Sequence, residues 1–94
     1  MAAGIAVEHL DGDTFRVTVR EAGRQTVHTV TVDPAYARRL GGDDVSREDL
    51  VRRSFEFLLE HEPKESILGR FDLPVISQYF PGFEAEIARR MRRA

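Results

Sequence analysis

The chain has no cysteine and no tryptophan, and only one lysine, Lys64. Without cysteine there is no disulfide framework, no zinc–thiolate or iron–sulfur centre and no thiol nucleophile. No apolar run approaches the ~18 residues that cross a bilayer. Residues Met1 to Ala6 show neither the basic start nor the apolar stretch of a secretory signal, so a cytoplasmic setting is expected. Excess charge of one sign is missing too, with 14 basic against 16 acidic residues. That balance does not favour nucleic acid as a partner. All the basic residues except Lys64 are arginine. GC-rich coding accounts for such an excess, and phosphate or carboxylate recognition is the functional alternative.

What is present fits one folded domain. The chain is 94 residues long, 41% apolar and 32% charged. A domain of this size hides only about 60–65% of its unfolded surface. Its core is small, so its apolar segments must pack closely or meet a second subunit.

The order of signals is strands first, helices after. Ile5 to Leu10 reads as a first strand, followed by the turn Asp11-Gly12-Asp13. From Thr14 to Arg20 the residues alternate: Phe15, Val17 and Val19 on one face, Thr14, Arg16, Thr18 and Arg20 on the other. Glu21 to Arg24 supplies a hairpin loop with Gly23, and Gln25 to Val32 is the partner strand, with His28, Val30 and Val32 on one face.

Asp33-Pro34 starts a short helix over 34–40, and Gly41-Gly42 stops it. Ser46 caps a longer helix over 46–61, with Asp49 in a capping-box position and Val45 and Leu50 placed as a hydrophobic staple. Its apolar residues span roughly 200° at 100° per residue. Such a face needs two packing partners: the sheet, and something else. The remaining segments predict helices over 72–80, capped by Asp72, and over 83–92, with Phe83, Ile87 and Met91 in one stripe. The expected fold class is α+β: a three-stranded antiparallel meander covered on one face by C-terminal helices.

Few residues suggest chemistry. His28 reads as a satisfied or half-exposed sheet histidine. His61 at a helix end is favoured by the helix dipole and lacks the second histidine of a zinc-binding helix. Ser46 is a cap, Ser54 a small packing residue, and Glu56 and Glu60 form a solvated face. No catalytic, metal or cofactor set emerges, and no enzymatic activity is expected. The charge anomaly is the C-terminus, where Arg89, Arg90, Arg92 and Arg93 lie close together. They either contact phosphate or complete a helix through its dipole and through pairs with Glu86.

The stretch Ser54-Phe55-Glu56-Phe57-Leu58-Leu59-Glu60, then Glu62-Pro63-Lys64-Glu65-Ser66-Ile67-Leu68, then Phe71-Asp72-Leu73-Pro74-Val75-Ile76 and Tyr79-Phe80-Pro81, resembles a family of small uncharacterised bacterial proteins. The resemblance carries over no catalytic residue. It implies that 62–71 is a built segment, in which Lys64, Glu65 and Ser66 either contact a partner or pin two helices together. The sequence therefore leads to a non-enzymatic protein-interaction or regulatory module, with a homodimer expected from the open sheet edges and the 83–91 stripe. The alternative is a nucleic-acid-associated protein using the arginine-rich last helix, with Arg16, Arg20 and Arg24 on or beside the open sheet face.

Overall fold

A computed structural model describes residues 4–93, and side chains as far as Arg92. Three antiparallel strands, β1 (Gly4–Asp11), β2 (Thr14–Glu21) and β3 (Arg24–Thr31), form the expected meander. Four helices follow: α1 (Pro34–Gly41), α2 (Arg47–His61), α3 (Ile76–Tyr79) and α4 (Phe83–Arg93). The alternation of β2 decides which side is covered. Phe15, Val17 and Val19 are buried together with Val30 and Val32, while Arg16 and Arg20 lie in water on the other face. The fold class is α+β.

The local signals act as their chemistry dictates. Glu21 pairs with Arg24, leaving Ala22 and Gly23 as a two-residue turn with positive φ at both (54° and 77°), which matches the twist of the flanking strands. Asp33 accepts the Ala35 N–H and Ser46 accepts the Asp49 N–H. Arg47 anchors the first turn of α2 to the β1–β2 hairpin. It donates to Asp13 (2.7 Å) and to the Val32 carbonyl (2.9 Å), and its guanidinium lies 5.4 Å from the Phe15 ring centre.

Helix α2 meets two layers, as its wide apolar face requires. Phe55 points to the sheet side, with ring centres 5.3 Å from His28 and 6.1 Å from Phe71. Phe57 points the other way, 5.3 Å from Phe83 and 5.8 Å from Phe80. The stripe of α4 is consumed here. Phe83 and Ile87 are fully buried and Met91 is half-buried against the same core. That corrects the expectation that this stripe is free for a second subunit: the second side of α2 claims it.

Three further expectations are corrected. The sheet has four strands, because β4 (Arg70–Asp72) adds parallel to β3 through the pairs Thr29–Arg70, Val30–Phe71 and Thr31–Asp72. Three residues are too short to stand out by alternation. The helix expected over 72–80 is instead a 3-10 turn at Leu73–Val75 followed by the single turn α3. Asp72 is still in the strand, and its carboxylate accepts the Thr31 hydroxyl instead of capping a helix. Pro74 brings no N–H to the first turn, and the Ile76 N–H reaches back to the carbonyls of Leu73 and Pro74. Arg24, finally, pairs with Glu21 and so lies on the helix side of the sheet, not beside Arg16 and Arg20.

Candidate functional site: an apolar groove beside alpha 2

The segment after α2 is held by three polar anchors. The Glu62 N–H closes α2 on the Leu58 carbonyl, and Pro63 prevents another helical turn. Lys64–Ser66 forms a 3-10 turn. The Lys64 side chain is only 5% exposed, and its ammonium lies 2.9 Å from Glu65 and 3.8 Å from Glu21. Lys64 thus ties the segment to the end of β2. The neighbouring ammonium holds the Glu65 carboxyl below its ordinary range.

His28 is the third anchor. It is 2% exposed, so both ring nitrogens need partners. Nδ1 lies 2.8 Å from the Leu68 carbonyl and Nε2 lies 2.8 Å from the Thr26 hydroxyl. A carbonyl only accepts, so Nδ1 carries a proton towards Leu68, and in the neutral tautomer this fixes, Nε2 accepts from the Thr26 hydroxyl. This is the satisfied sheet histidine that β3 periodicity suggests. Its partner 40 residues away was beyond reach of the sequence. No buried side-chain nitrogen or oxygen lacks a hydrogen bond among the described residues.

These anchors shape an apolar groove of about 130 Å³ between the end of α2, the 66–68 segment and α3. Leu58, Ile67, Phe71 and Ile76 form its buried floor, with Val75 and Phe80 at the sides. Leu68 (46% exposed) and Tyr79 (65% exposed) stand on its rim, and Glu62 and Ser66 form its polar edge. Glu62 is the one ionisable residue on the wall other than the Tyr79 phenol.

Of the residues singled out from sequence, Ser66 lines this groove, Glu65 is exposed next to it, and Lys64 is buried behind it. The groove residues Glu62, Leu68 and Tyr79 were not singled out. Their signal was faint: Ile67-Leu68 and Tyr79-Phe80 are adjacent large apolar pairs outside a long helix, where one member is left exposed. Tyr79, at the end of the helix expected over 72–80, is open to water because α3 makes only one turn.

The arginine cluster lies elsewhere and is largely paired. Arg89 donates twice to Glu86 (2.6 and 3.1 Å), and Arg90 donates to Glu86 (2.7 Å) and Glu60 (2.8 Å). Arg90 is largely covered. Its side chain is 22% exposed and its guanidinium lies 5.7 Å from the Phe57 ring centre. Hydrogen bonds from Arg89 and Arg90 pull the Glu86 carboxyl down to about 2, and Arg90 likewise lowers Glu60. Arg92 is exposed, and the Arg93 side chain lies outside the described residues. Helix α4 packs on α1 and α2 on the helical side of the molecule, whereas Arg16 and Arg20 project from the opposite sheet face. There Arg16 pairs with Glu8 at 3.1 Å and Arg20 donates to Gln25 at 3.0 Å. The two sets of arginines therefore make no common basic surface.

At the base of α4 a third set of charges is also internal. Glu84 accepts from Tyr36 (2.8 Å) and from both arms of Arg39 (3.2 Å each). Burial and the bond to Glu84 push the Tyr36 phenol well above its ordinary range. This clasp joins α1 to α4. Among the described residues there is no cluster of three or more side chains suited to hold a metal ion, and no helix is long and apolar enough to cross a membrane. Compared with known protein families, curated proteins and solved structures, the chain shows no match.

Proposed function

We propose that this protein is a small non-enzymatic interaction module, of bacterial cytoplasmic type, whose groove beside α2 receives one large apolar side chain of a protein partner. The single observation that carries this reading is the groove itself: a formed apolar hollow with Leu68 and Tyr79 exposed on its rim. An apolar cavity of about 150 Å³ accommodates a benzene ring, so a volume of about 130 Å³ suits one aromatic or branched aliphatic side chain. Exposed aromatic and apolar residues around a hollow are the usual anchors of a protein contact. Glu62 on the wall favours a basic residue beside the inserted side chain. Glu65 and Ser66 complete the contact, and Lys64 holds the segment in place.

The nucleic-acid alternative is weakened by the carboxylates of Glu86 and Glu60, which occupy the guanidinium groups that phosphate would need. A parallel capture from bacterial extract, with the wild-type chain and the Tyr79→Asp variant after nuclease treatment, tests the proposal. A protein retained by the first and lost by the second, then shown to bind the purified wild type directly, is the expected result. Equal capture by both chains, or capture abolished by nuclease, overturns it.

A further inference from the structure

The two edges of the sheet are treated unequally. At β3 the far end is covered by β4, from Thr29 to Thr31. At β1 nothing pairs with the outer edge among the described residues, and the strand contains neither proline nor lysine to discourage pairing. Its inward side is also incompletely covered. Ile5 and Val7 sit in the same inward rows as Val19 and Val17, their partners on β2. Val17 and Val19 are fully buried, but Ile5 and Val7 are only half-buried.

We infer that a second copy of this chain covers this edge, pairing β1 antiparallel with β1 about a two-fold axis through Ala6. A two-fold axis normal to the sheet keeps both sets of helices on one side, so only residues of the same face can stand opposite each other. Three registers meet that condition near the strand centre. An axis at Glu8 sets two carboxylates opposite one another, which is destabilising. It also runs across the irregularity between His9 and Asp11, where the β1 backbone departs from regular pairing. An axis at Val7 reaches the same irregularity and sets Ile5 opposite His9, a ring already stacked on Phe15 at 4.6 Å.

The axis at Ala6 avoids both faults. Ile5 then faces Val7 of the second copy on the inward side, completing the two half-covered rows. On the outward side Ala6 faces its own counterpart, and Glu8, 3.1 Å from Arg16, faces a glycine. The product is a continuous eight-stranded sheet with all helices on one side. Because α2 packs over β1, the two α2 helices run antiparallel along the seam. The groove lies beyond the seam, against β4 and α3, so this assembly is independent of the proposed partner site.

The absence of cysteine makes the test clean, since a single introduced thiol is the only one in the chain. Sedimentation equilibrium of the wild type at tens of micromolar should show a dimer. The Ala6→Cys variant should form a covalent dimer under mild oxidation or with a short bis-maleimide. The Gln25→Cys variant, on the same open face but at the other edge, should not. Val7→Lys should weaken the dimer at least tenfold while leaving partner capture intact, and Tyr79→Asp should leave the dimer intact. Should Val7→Lys fail to fold, the paired cysteine variants still decide the matter. A wild-type monomer, or cross-linking at Gln25→Cys as fast as at Ala6→Cys, overturns the inference.

Discussion

The β1–β3 meander with α2 and the irregular stretch from Glu62 to Phe80 contribute to one core by different means. The meander is repetitive. Each strand residue has one neighbour across the ladder, and alternation assigns its face. The 62–80 stretch has no period. It is held by single residues that reach far along the chain: Lys64 to Glu21, His28 to Leu68, and Thr31 to Asp72. Yet both deliver side chains to the same buried cluster, Phe55 from one and Ile67, Leu73 and Ile76 from the other. A regular element spreads its stability over many similar bonds, whereas an irregular one concentrates it in a few anchors. The groove is found where those anchors leave a hollow.

The largest expected effect tests the regular half. Phe55→Ala empties a fully buried site between His28 and Phe71 and should cost about 3–5 kcal/mol in urea unfolding. A loss below about 1 kcal/mol would mean that the centre of the core lies elsewhere. The next tests the irregular half. His28→Leu leaves the Leu68 carbonyl and the Thr26 hydroxyl without their bonds and should cost about 1–3 kcal/mol. Amide exchange should rise most around 67–72, near the groove, and less in β1. Uniform loosening of the whole chain would show that the anchor is not local.

Lys64 sharpens the contrast further. Its ammonium is nearly enclosed while Glu21 and Glu65 are about half exposed, so water recovers part of any loss. Lys64→Ala should cost about 1–2 kcal/mol through lost packing and pairing. Lys64→Met, which keeps the stem but loses the ion pairs to Glu21 and Glu65, should recover only part of that loss on denaturant unfolding. If Met proves as damaging as Ala, the charge and not the stem holds the segment.

The smallest effect is read in acid. Arg89 and Arg90 lower the Glu86 carboxyl from 4.5 to about 2 in the folded chain. A carboxyl lowered by folding stabilises the fold fully above its unfolded value, and that contribution is lost as pH falls through the folded one. The melting temperature should therefore decline between pH 4.5 and about 2. Glu60, Glu65 and Glu84, also lowered, add to the decline. Glu86→Gln should flatten the curve in that window and leave it unchanged near neutrality in shape. An unaltered acid limb would remove Glu86 from the account.

Sequence reasoning succeeded wherever one residue reports its own environment. Thr14 to Arg20 alternates, Ser46 precedes a periodic run, and the broad face of α2 demands two partners, found as the sheet with Phe71 and as Phe80 with Phe83. It also anticipated the pairing of Arg89 and Arg90 with Glu86, because residues three and four apart on a helix are neighbours. It missed β4, the short α3 and the exposure of Tyr79. In each case the deciding partner is distant. Asp72 answers to Thr31 and not to its own helix, and Arg70 to Asp72 is a strand only because β3 lies beside it.

The sequence alone determined the α+β class, the covered face of the meander, the caps of α1 and α2 and the two-sided demand of α2. Each follows from periods of two or 3.6 residues and from side chains bonding within a few positions. Only the tertiary structure decided that the α4 stripe is spent inside the molecule, that Arg90 lies over Phe57, that Lys64 is enclosed and that a groove opens between Leu58 and Tyr79. Those outcomes depend on contacts between residues tens of positions apart, and no local pattern encodes which of several apolar or charged partners a side chain meets.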